Sequence, residues 1–224
     1  MRYYNTARGV FISRPNRFIA HVDIAGQDTV CHVKNTGRCR ELLVPGAEVV
    51  LEKSANPARK TQYDLVAVYK NGTLINMDSQ APNALAAEYL PALFPDAAEI
   101  RPECVYGDSR LDFRVDTPER RIYVEVKGVT LEKDGLALFP DAPTLRGAKH
   151  LRELERAAGD GFGAYILFVV QMSGCRAFSP NDGTDPDFGA ALRRAAQNGV
   201  GVLTVDCLVT EDGMVPGSPV PVIL

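Results

Sequence analysis

The stretch RLDFRVDTPERRIYVEVK, residues 110–127, decides the fold of the second half of this chain. Residues 111–115 and 122–127 alternate apolar and polar side chains, as half-buried β-strands do. The segment between them carries a proline and several charged or hydroxylated residues, which is typical of a loop. We therefore predict a β-hairpin in which Val115 pairs with Ile122.

This register gives the hairpin one apolar and one polar face, because side chains on a strand alternate between faces. On the polar face it predicts Asp112 directly opposite Glu125 and Arg110 opposite Lys127. The apolar face contains six residues: Leu111, Phe113, Val115, Ile122, Val124 and Val126. We expect the apolar face to build a core and the polar face to build a site.

Two carboxylates that face each other repel, and a divalent cation between them removes the repulsion. Oxygen ligands with few His or Cys residues nearby suit Mg²⁺ or Mn²⁺ rather than zinc. Lys127 is placed to stabilise charge on a phosphate or to orient an attacking water. Asp112, Glu125 and Lys127 together are what phosphodiester hydrolysis requires. The alternative is an exposed hairpin face whose charges are solvated and paired.

The arrangement of Asp112, Glu125 and Lys127 resembles the signature of PD-(D/E)xK nucleases, which have the restriction-endonuclease-like fold. Longer segments resemble the sugar fermentation stimulation protein A family. They are HVKNTGRCRELLVPG (32–46), SRLDF (109–113), YVEVKGVTL (123–131), FPDAPTLRGAKHLREL (139–154) and NDGTDPDFGAAL (181–192). The resemblance implies a DNA-binding protein with a nuclease-like C-terminal domain, and the Val126 carbonyl as a further metal ligand.

The chain divides near residue 80 into two predicted domains, 1–80 and 81–224. Short strand-like runs, separated by turns such as Asn71-Gly72, fill the first section. They span residues 9–13, 17–24, 29–33, 47–53, 63–70 and 73–77. Such a pattern predicts a small β-barrel like the OB-fold, which often binds single-stranded nucleic acid. The second section is predicted to be an α/β restriction-endonuclease-like domain.

Residues 1–80 contain 11 Lys and Arg against 7 Asp and Glu, whereas the rest of the chain contains 14 against 21. The positive first section is compatible with a phosphate-binding surface. The cations predicted to contact phosphate are Arg14, Arg17, Lys34, Arg38 and Arg40. The alternative is ordinary solvated loop charge. Phe18 and Tyr63 are expected to pack inside the barrel, which favours backbone contacts over base stacking.

Two helices are predicted around the hairpin. The first spans residues 83–90 and is limited by Pro91; the nuclease resemblance implies that its Glu88 joins the metal site. The second spans residues 145–158 with Thr144 as N-cap. Its buried stripe is predicted to contain Leu145, Ala148, Leu151, Leu154 and Ala158. Arg146 and His150 are candidates for phosphate contact, with a solvated, mutually paired helix face as the alternative.

Composition places the chain among ordinary globular proteins, with 46% hydrophobic and 24% charged residues. No segment has the roughly 20 apolar residues needed to span a bilayer. The N-terminal MRYYNTARG lacks the apolar core of a signal peptide. Five cysteines, without a C-x-x-C pair, predict reduced thiols rather than a disulfide framework or zinc site. These features indicate a cytoplasmic protein.

The leading hypothesis is a Mg²⁺- or Mn²⁺-dependent nuclease that acts on DNA. The alternative is a DNA-binding regulator of sugar or maltose metabolism that keeps the nuclease fold without turnover. RNA stays open as a substrate, because no residue pattern recognises a 2′-hydroxyl. Strand preference also stays open, and a homodimer is compatible with the sequence.

Overall fold

The computed structural model describes residues 1–35 and 37–224. Along the chain, these residues form fifteen strands and three helices: β1(Thr6–Ser13), β2(Ile19–Ile24), β3(Gln27–Val33), β4(Glu48–Lys53), β5(Tyr63–Lys70), β6(Thr73–Asn76), α1(Ala81–Leu93), β7(Glu99–Tyr106), β8(Ser109–Asp116), β9(Arg121–Val129), β10(Leu131–Lys133), β11(Leu136–Phe139), α2(Leu145–Gly159), β12(Gly163–Val170), β13(Ala177–Pro180), α3(Pro186–Gln197), β14(Gly201–Thr210) and β15(Gly213–Pro219).

Strands β1 to β5 form a closed barrel. Its antiparallel order is β3-β2-β1-β4-β5, and a short parallel pairing of β3 with β5 closes the ring. Closure leaves no edge among these five strands, and their inward side chains form a core. Strand β6 extends the barrel as a hairpin on β5, whose turn residues Asn71 and Gly72 both have positive φ, as this turn requires. The predicted OB barrel is confirmed.

The second half of the chain is a mixed α/β domain around a six-stranded sheet of order β15-β14-β12-β9-β8-β7. Its central strands β9, β12 and β14 are parallel, whereas β7, β8 and β15 are antiparallel to their neighbours. Helix α1 packs on one face through Leu85 and Leu90. Helices α2 and α3 cover the other face, where Leu151 and Phe188 are fully buried.

The helix predictions are confirmed in part. Thr144 caps α2 by accepting the Gly147 N–H at 3.0 Å, as expected. Leu145 is 89% exposed, so its place in the predicted buried stripe was wrong. Leu145 is the first residue of α2, so it lies at the end of the helix face that packs on the sheet. Pro91 lies inside α1, which continues to Leu93, because a proline near a helix end forfeits few hydrogen bonds.

A buried polar network joins the barrel to the α/β domain. Asn76 at the end of the barrel donates its N–H to the Gln171 carbonyl at 2.9 Å and accepts the Gln171 Nε2–H at 2.9 Å. Tyr3 accepts a hydrogen bond from Asn76 and donates one to Asp78. Lys34 Nζ lies 2.7 Å from the Asp78 carboxylate, which is 2% exposed. The buried polar groups are therefore paired, as burial demands.

The apolar core also extends from the barrel into the α/β domain. One cluster of buried side chains includes barrel residues such as Val22 and Leu51 together with Leu154 of α2 and Phe188 of α3. Within residues 1–35 and 37–224, no helix combines the length and apolar character needed to cross a bilayer.

Candidate active site

The hairpin of β8 and β9 has the predicted register. Val115 pairs with Ile122, and the ladder runs from Asp116–Arg121 to Phe113–Val124. It does not continue to Asp112 and Glu125, so the expected directly opposed pair was wrong in detail. The Asp112 carboxylate itself accepts the Val126 N–H at 2.7 Å. The Asp112 side chain thus replaces the backbone group that would be the next hydrogen-bond partner of β9, and strands β8 and β9 separate at this point.

The divergence also changes the apolar face. Five of its six predicted residues pack with α1, whereas Leu111 belongs to the core on the other side of the sheet. Leu111 precedes Phe113, at which the ladder of β8 with β9 begins. Asp112 therefore lies between residues of the same strand that pack into two different cores.

Glu125 is the centre of the candidate site. It is 1% exposed although it carries a carboxylate. Its Oε1 contacts both Lys127 Nζ and His150 Nδ1. Its Oε2 is buried and has no hydrogen-bond partner among the described residues. Buried polar atoms are nearly always paired, so an unpaired carboxylate oxygen indicates a place for a ligand.

Asp112 lies on the neighbouring strand with both oxygens engaged. Its Oδ1 accepts Asn83 Nδ2–H at 2.9 Å, and its Oδ2 accepts the Val126 N–H. Burial, followed by the nearby charge of Glu125, raises the pKa of Asp112. The two carboxylates are therefore close enough to repel each other.

Glu125 responds in the opposite direction. Burial alone would raise its pKa, but the hydrogen bond from His150 and the charge of Lys127 lower the pKa overall. Glu125 is therefore held ionised, and its charge disfavours ionisation of Asp112. A cation that bound both carboxylates would remove this repulsion.

His150 and Arg146 extend the cluster from α2. His150 is 5% exposed, and Arg146 Nε donates to His150 Nε2 at 3.4 Å. The ring therefore acts as the tautomer with its proton on Nδ1, which it donates to Glu125. Both nitrogens are engaged, so the structure places His150 against the carboxylate rather than in a position facing phosphate. The Arg146 side chain is exposed beside it.

Glu88 is not brought to this cluster. Its Oε2 lies 2.7 Å from the Met1 ammonium, and it is five residues, or about 140° of helical rotation, from Asn83. Asn83 is the α1 residue that contacts Asp112. The α1 side chain at the candidate site is therefore the Asn83 amide, which lies on a different face of the helix from Glu88.

The predicted barrel cations separate into two groups. Arg17, Arg38 and Arg40 are exposed and form no ion pair with the residues that the structure describes. Lys34 is committed to Asp78, and Arg14 donates to backbone carbonyls that include those of Gly37 and Asn35. The predicted phosphate contacts of Lys34 and Arg14 are therefore replaced by structural ones. Arg14 holds the loop that presents the other arginines.

Two grooves lie beside the barrel. We call the first the arginine groove: it has a volume of about 610 Å³ and contains Arg17, Arg38 and Arg40. We call the second the junction groove: it has a volume of about 360 Å³ and lies between the barrel and the α/β domain. Its lining includes Pro82, Gly128 and Thr144. These residues lie next to Asn83, next to Lys127, and at the start of α2.

Gly128 lies at a tightly packed point in the lining of the junction groove. A Cβ at this position would lie 2.4 Å from Gln171 Oε1 and 2.6 Å from Pro82 Cγ, so only glycine fits. A glycine within a strand often marks such a close approach. Neither this glycine nor Asn83, the first polar residue of an alanine-rich helix, is among the predicted site residues.

The donor set fits a hard divalent cation. Within residues 1–35 and 37–224, no three His, Cys, Asp or Glu side chains form a metal-binding group by themselves. Mg²⁺ usually takes one or two carboxylates and keeps several waters, so a pair is sufficient. The unpaired Glu125 Oε2 and the raised pKa of Asp112 both fit such a cation.

Replacement of His150 should test how the cluster is supported. His150→Leu removes a hydrogen bond to a buried charge, so we expect a loss of about 2 kcal/mol in the free energy of unfolding. Mn²⁺ affinity should fall about 10- to 100-fold, because the carboxylate loses its orientation. Thermal unfolding in EDTA and calorimetric Mn²⁺ titration measure the two effects.

His150→Asn is the matched variant, because its amide N–H can replace Nδ1–H and should restore most of both losses. The lowered pKa of Glu125 contributes stability above its ordinary value of 4.5 and loses it as the pH falls. The deficit of His150→Leu should therefore be largest at neutral pH. Equal Mn²⁺ affinity in the leucine variant and the wild type would contradict a positioning role.

The comparisons with known proteins agree with this architecture. A model described as the SfsA N-terminal OB domain matches residues 12–77. A model described as the sugar fermentation stimulation protein RE domain matches residues 80–213.

Curated relatives extend the match over nearly the whole chain. A sugar fermentation stimulation protein homolog of Desulfitobacterium hafniense (strain Y51) is 52% identical over 99% of this chain and 98% of the relative. A homolog from Clostridium beijerinckii is 51% identical over 96% of each. The solved structure of Pyrococcus furiosus SfsA in complex with Ca²⁺ has a TM-score of 0.90 and 26% identity, covering 100% of this chain and 98% of that one. The chain therefore belongs to the sugar fermentation stimulation protein (SfsA) family.

Proposed function

We propose that this protein is a Mg²⁺- or Mn²⁺-dependent nuclease that hydrolyses phosphodiester bonds in DNA. The observation that carries the proposal is the state of Glu125. Its Oε1 is fixed by Lys127 and His150, and its buried Oε2 is unpaired beside Asp112. A site that served only the fold would leave neither an orphan oxygen nor two repelling carboxylates.

Asp112, Glu125 Oε2 and the Val126 carbonyl would hold the cation. When bound, it would supply Lewis-acid polarisation of the phosphoryl oxygens. The presence of Ca²⁺ in the related Pyrococcus furiosus structure supports a divalent cation here as well. The carboxylates are hard oxygen donors, which suit Mg²⁺, Mn²⁺ and Ca²⁺ alike.

The remaining groups of the cluster divide the work of positioning. Lys127 would leave Oε1 to orient the attacking water or to stabilise charge on the phosphate. Exposed Arg146 would bind the scissile phosphate, for which its planar guanidinium is suited. His150 would keep Glu125 in place. Asn83 and the Val126 N–H would fix Asp112 through the two hydrogen bonds that they donate.

The competing proposal is a DNA-binding regulator of sugar metabolism without turnover. One observation favours it: the Lys127 ammonium already compensates the charge of Glu125, and His150 donates to the same carboxylate oxygen. The deciding experiment incubates purified protein with single- and double-stranded DNA and RNA in Mg²⁺, Mn²⁺ or EDTA. Cleavage that requires a cation supports the nuclease, whereas binding without cleavage in every condition supports the regulator.

We also place the protein in the cytoplasm. All five cysteines are free, and burial raises the pKa of Cys31, Cys39 and Cys207 to about 12. Such thiols are inert core residues and agree with a reducing compartment.

The exposed arginines of the barrel should bind DNA through its phosphates. Replacing Arg17, Arg38 and Arg40 with alanine should weaken binding uniformly across sequences. On duplex DNA it should flatten the slope of log K against log[salt] by up to about 0.9 for each lost phosphate contact. Fluorescence anisotropy at several salt concentrations measures the slope, and Mn²⁺ affinity should stay unchanged because the carboxylates lie in the other domain.

A second triple variant controls for the loss of three charges. Arg2, Arg120 and Arg176 are also exposed but lie outside the arginine groove, so their replacement should leave the slope near that of the wild type. Equal slopes for both triple variants would rule out the arginine groove as the binding surface.

Lys34→Ala should behave differently, because this replacement leaves the buried Asp78 carboxylate without its cationic partner. It should lower the free energy of unfolding by about 3 kcal/mol.

A further inference from the structure

The arginine groove is both basic and apolar. Beside its arginines, the lining includes Leu43 and Pro45, and none of the described carboxylates lines it. Many other arginines in the described residues lie next to acids; Arg114, for example, pairs with Glu99 and Asp116. A concave surface with unpaired cations and apolar patches complements a ligand that combines repeated negative charge with flat apolar groups.

Phe18 supplies a flat apolar group directly after Asn16 and Arg17, which line this groove. The ring is 51% exposed, contrary to the expectation that it packs inside the barrel. Phe18 follows Arg17, a lining residue, at the end of the loop between β1 and β2. Its backbone is fixed, because its N–H donates to Asn16 Oδ1 at 2.9 Å and its carbonyl accepts the Val33 N–H at 2.8 Å.

An aromatic ring held outward by an anchored backbone is preorganised for stacking, because little conformational entropy remains to be lost on binding. The barrel core excludes the ring, although burial of a phenylalanine would normally be favourable. The exposed ring is therefore available for contact with a ligand.

The arginine groove adjoins the junction groove. Gly37 of the barrel and Ala142 of the α/β domain line both the arginine groove and the junction groove. The space at Gly37 is narrow, since a Cβ there would lie 2.8 Å from Asp141 Oδ2. From this point the junction groove reaches Gly128, the residue after Lys127.

We propose that the arginine groove binds an unpaired segment of a nucleic-acid strand, which stacks a base on Phe18 and continues through the junction groove to Asp112 and Glu125. Its phosphates pair with Arg17, Arg38 and Arg40. This inference rests on the proposed nuclease function and names its substrate class. Bases within a duplex have both faces already stacked, so only an unpaired base can offer a face to the ring.

A single tryptophan tests the stacking directly, because the chain contains none. Fluorescence of Phe18→Trp should be quenched about twofold or more by single-stranded DNA in EDTA, and much less by blunt duplex, because only an unpaired base stacks on the ring. Tyr4→Trp is the matched control: Tyr4 is 72% exposed but lies outside both grooves, so its fluorescence should not respond. Equal quenching by single strands and duplex would overturn the proposal.

Affinity provides a second readout. Phe18→Leu keeps an apolar side chain but removes the π-face, so it should weaken binding of single-stranded DNA about tenfold and leave duplex binding nearly unchanged. Because Phe18 is exposed, the replacement should not disturb folding, which circular dichroism verifies. Single-strand affinity equal to that of the wild type would also overturn the proposal.

The same measurements separate this inference from the nuclease proposal. Quenching and affinity are measured in EDTA, so they decide the stacking site whether or not the protein cleaves. In Mn²⁺, the wild type should cleave a duplex with an unpaired tail faster than a blunt duplex. Phe18→Leu should raise KM about tenfold for the tailed substrate and leave kcat unchanged. Absence of cleavage would remove the nuclease but not the stacking site, whereas a fall in kcat alone would contradict a binding role for Phe18.

Discussion

Asp112→Asn is expected to abolish cleavage and, in EDTA, to raise the melting temperature of the protein. Activity should fall at least about 10³-fold, because loss of a metal-binding carboxylate removes several kcal/mol of transition-state stabilisation. Stability should rise because burial and the charge of Glu125 disfavour the ionised Asp112. The asparagine oxygen can still accept the Val126 N–H, and the Asn83 amide can turn to offer its oxygen.

The pH dependence fixes the sign of this effect. A carboxyl whose pKa is raised in the folded state lowers stability at neutral pH, and lowers it less as the pH falls through that pKa. The gain from Asp112→Asn should therefore be largest at neutral pH and shrink on acidification. Differential scanning calorimetry measures it, and calorimetric titration follows the expected loss of Mn²⁺ binding.

Asp116→Asn is the matched control on the same strand. The guanidinium of Arg121 holds the pKa of Asp116 below its ordinary range, so this replacement should reduce stability slightly and leave cleavage intact. Unchanged Mn²⁺ affinity in Asp112→Asn would refute the metal site, and a lower melting temperature would refute the repulsion between Asp112 and Glu125.

Lys127→Ala is expected to separate chemistry from binding. Cleavage should fall about 10²- to 10³-fold, since the ammonium acts on charge that develops at the phosphate. DNA affinity should change only a few fold, because one half-buried cation contributes little to a footprint that includes several arginines. Single-turnover cleavage and anisotropy in EDTA give the two quantities.

The control for Lys127 is Lys149, a second lysine of the α/β domain. Its side chain is exposed on α2 and donates to the Asp108 carbonyl, so Lys149→Ala should retain cleavage. A wild type that never cleaves, combined with a large loss of affinity in Lys127→Ala, would favour the regulator.

The part of the site that sequence could predict depends on local pairing. The hairpin register follows from the alternation in 111–115 and 122–127, and the cap at Thr144 involves a residue only three positions away. Both are decided by neighbours along the chain, whose spacing is visible in the sequence.

The errors came from contacts across the fold. Helix α1 is rich in alanine and apolar residues, so its sequence pattern does not fix which face meets the sheet. The prediction therefore named Glu88, whereas Asn83 is the α1 residue that contacts Asp112. Lys34 was assigned to phosphate because its partner Asp78 lies 44 residues away. The exposure of Phe18 also could not be predicted from the rule that aromatic residues are buried, since that rule describes cores and not surfaces.

The buried network of Tyr3, Asn76, Asp78, Gln171 and Lys34 has a consequence for how the two halves can be handled. Cutting the chain at the junction would expose to water the buried Asp78 carboxylate and the amides of Asn76 and Gln171. It would also divide one continuous apolar core. The barrel and the α/β domain are thus not interchangeable modules, and a chimera with a foreign barrel would need to carry Tyr3, Lys34, Asn76 and Asp78 with it.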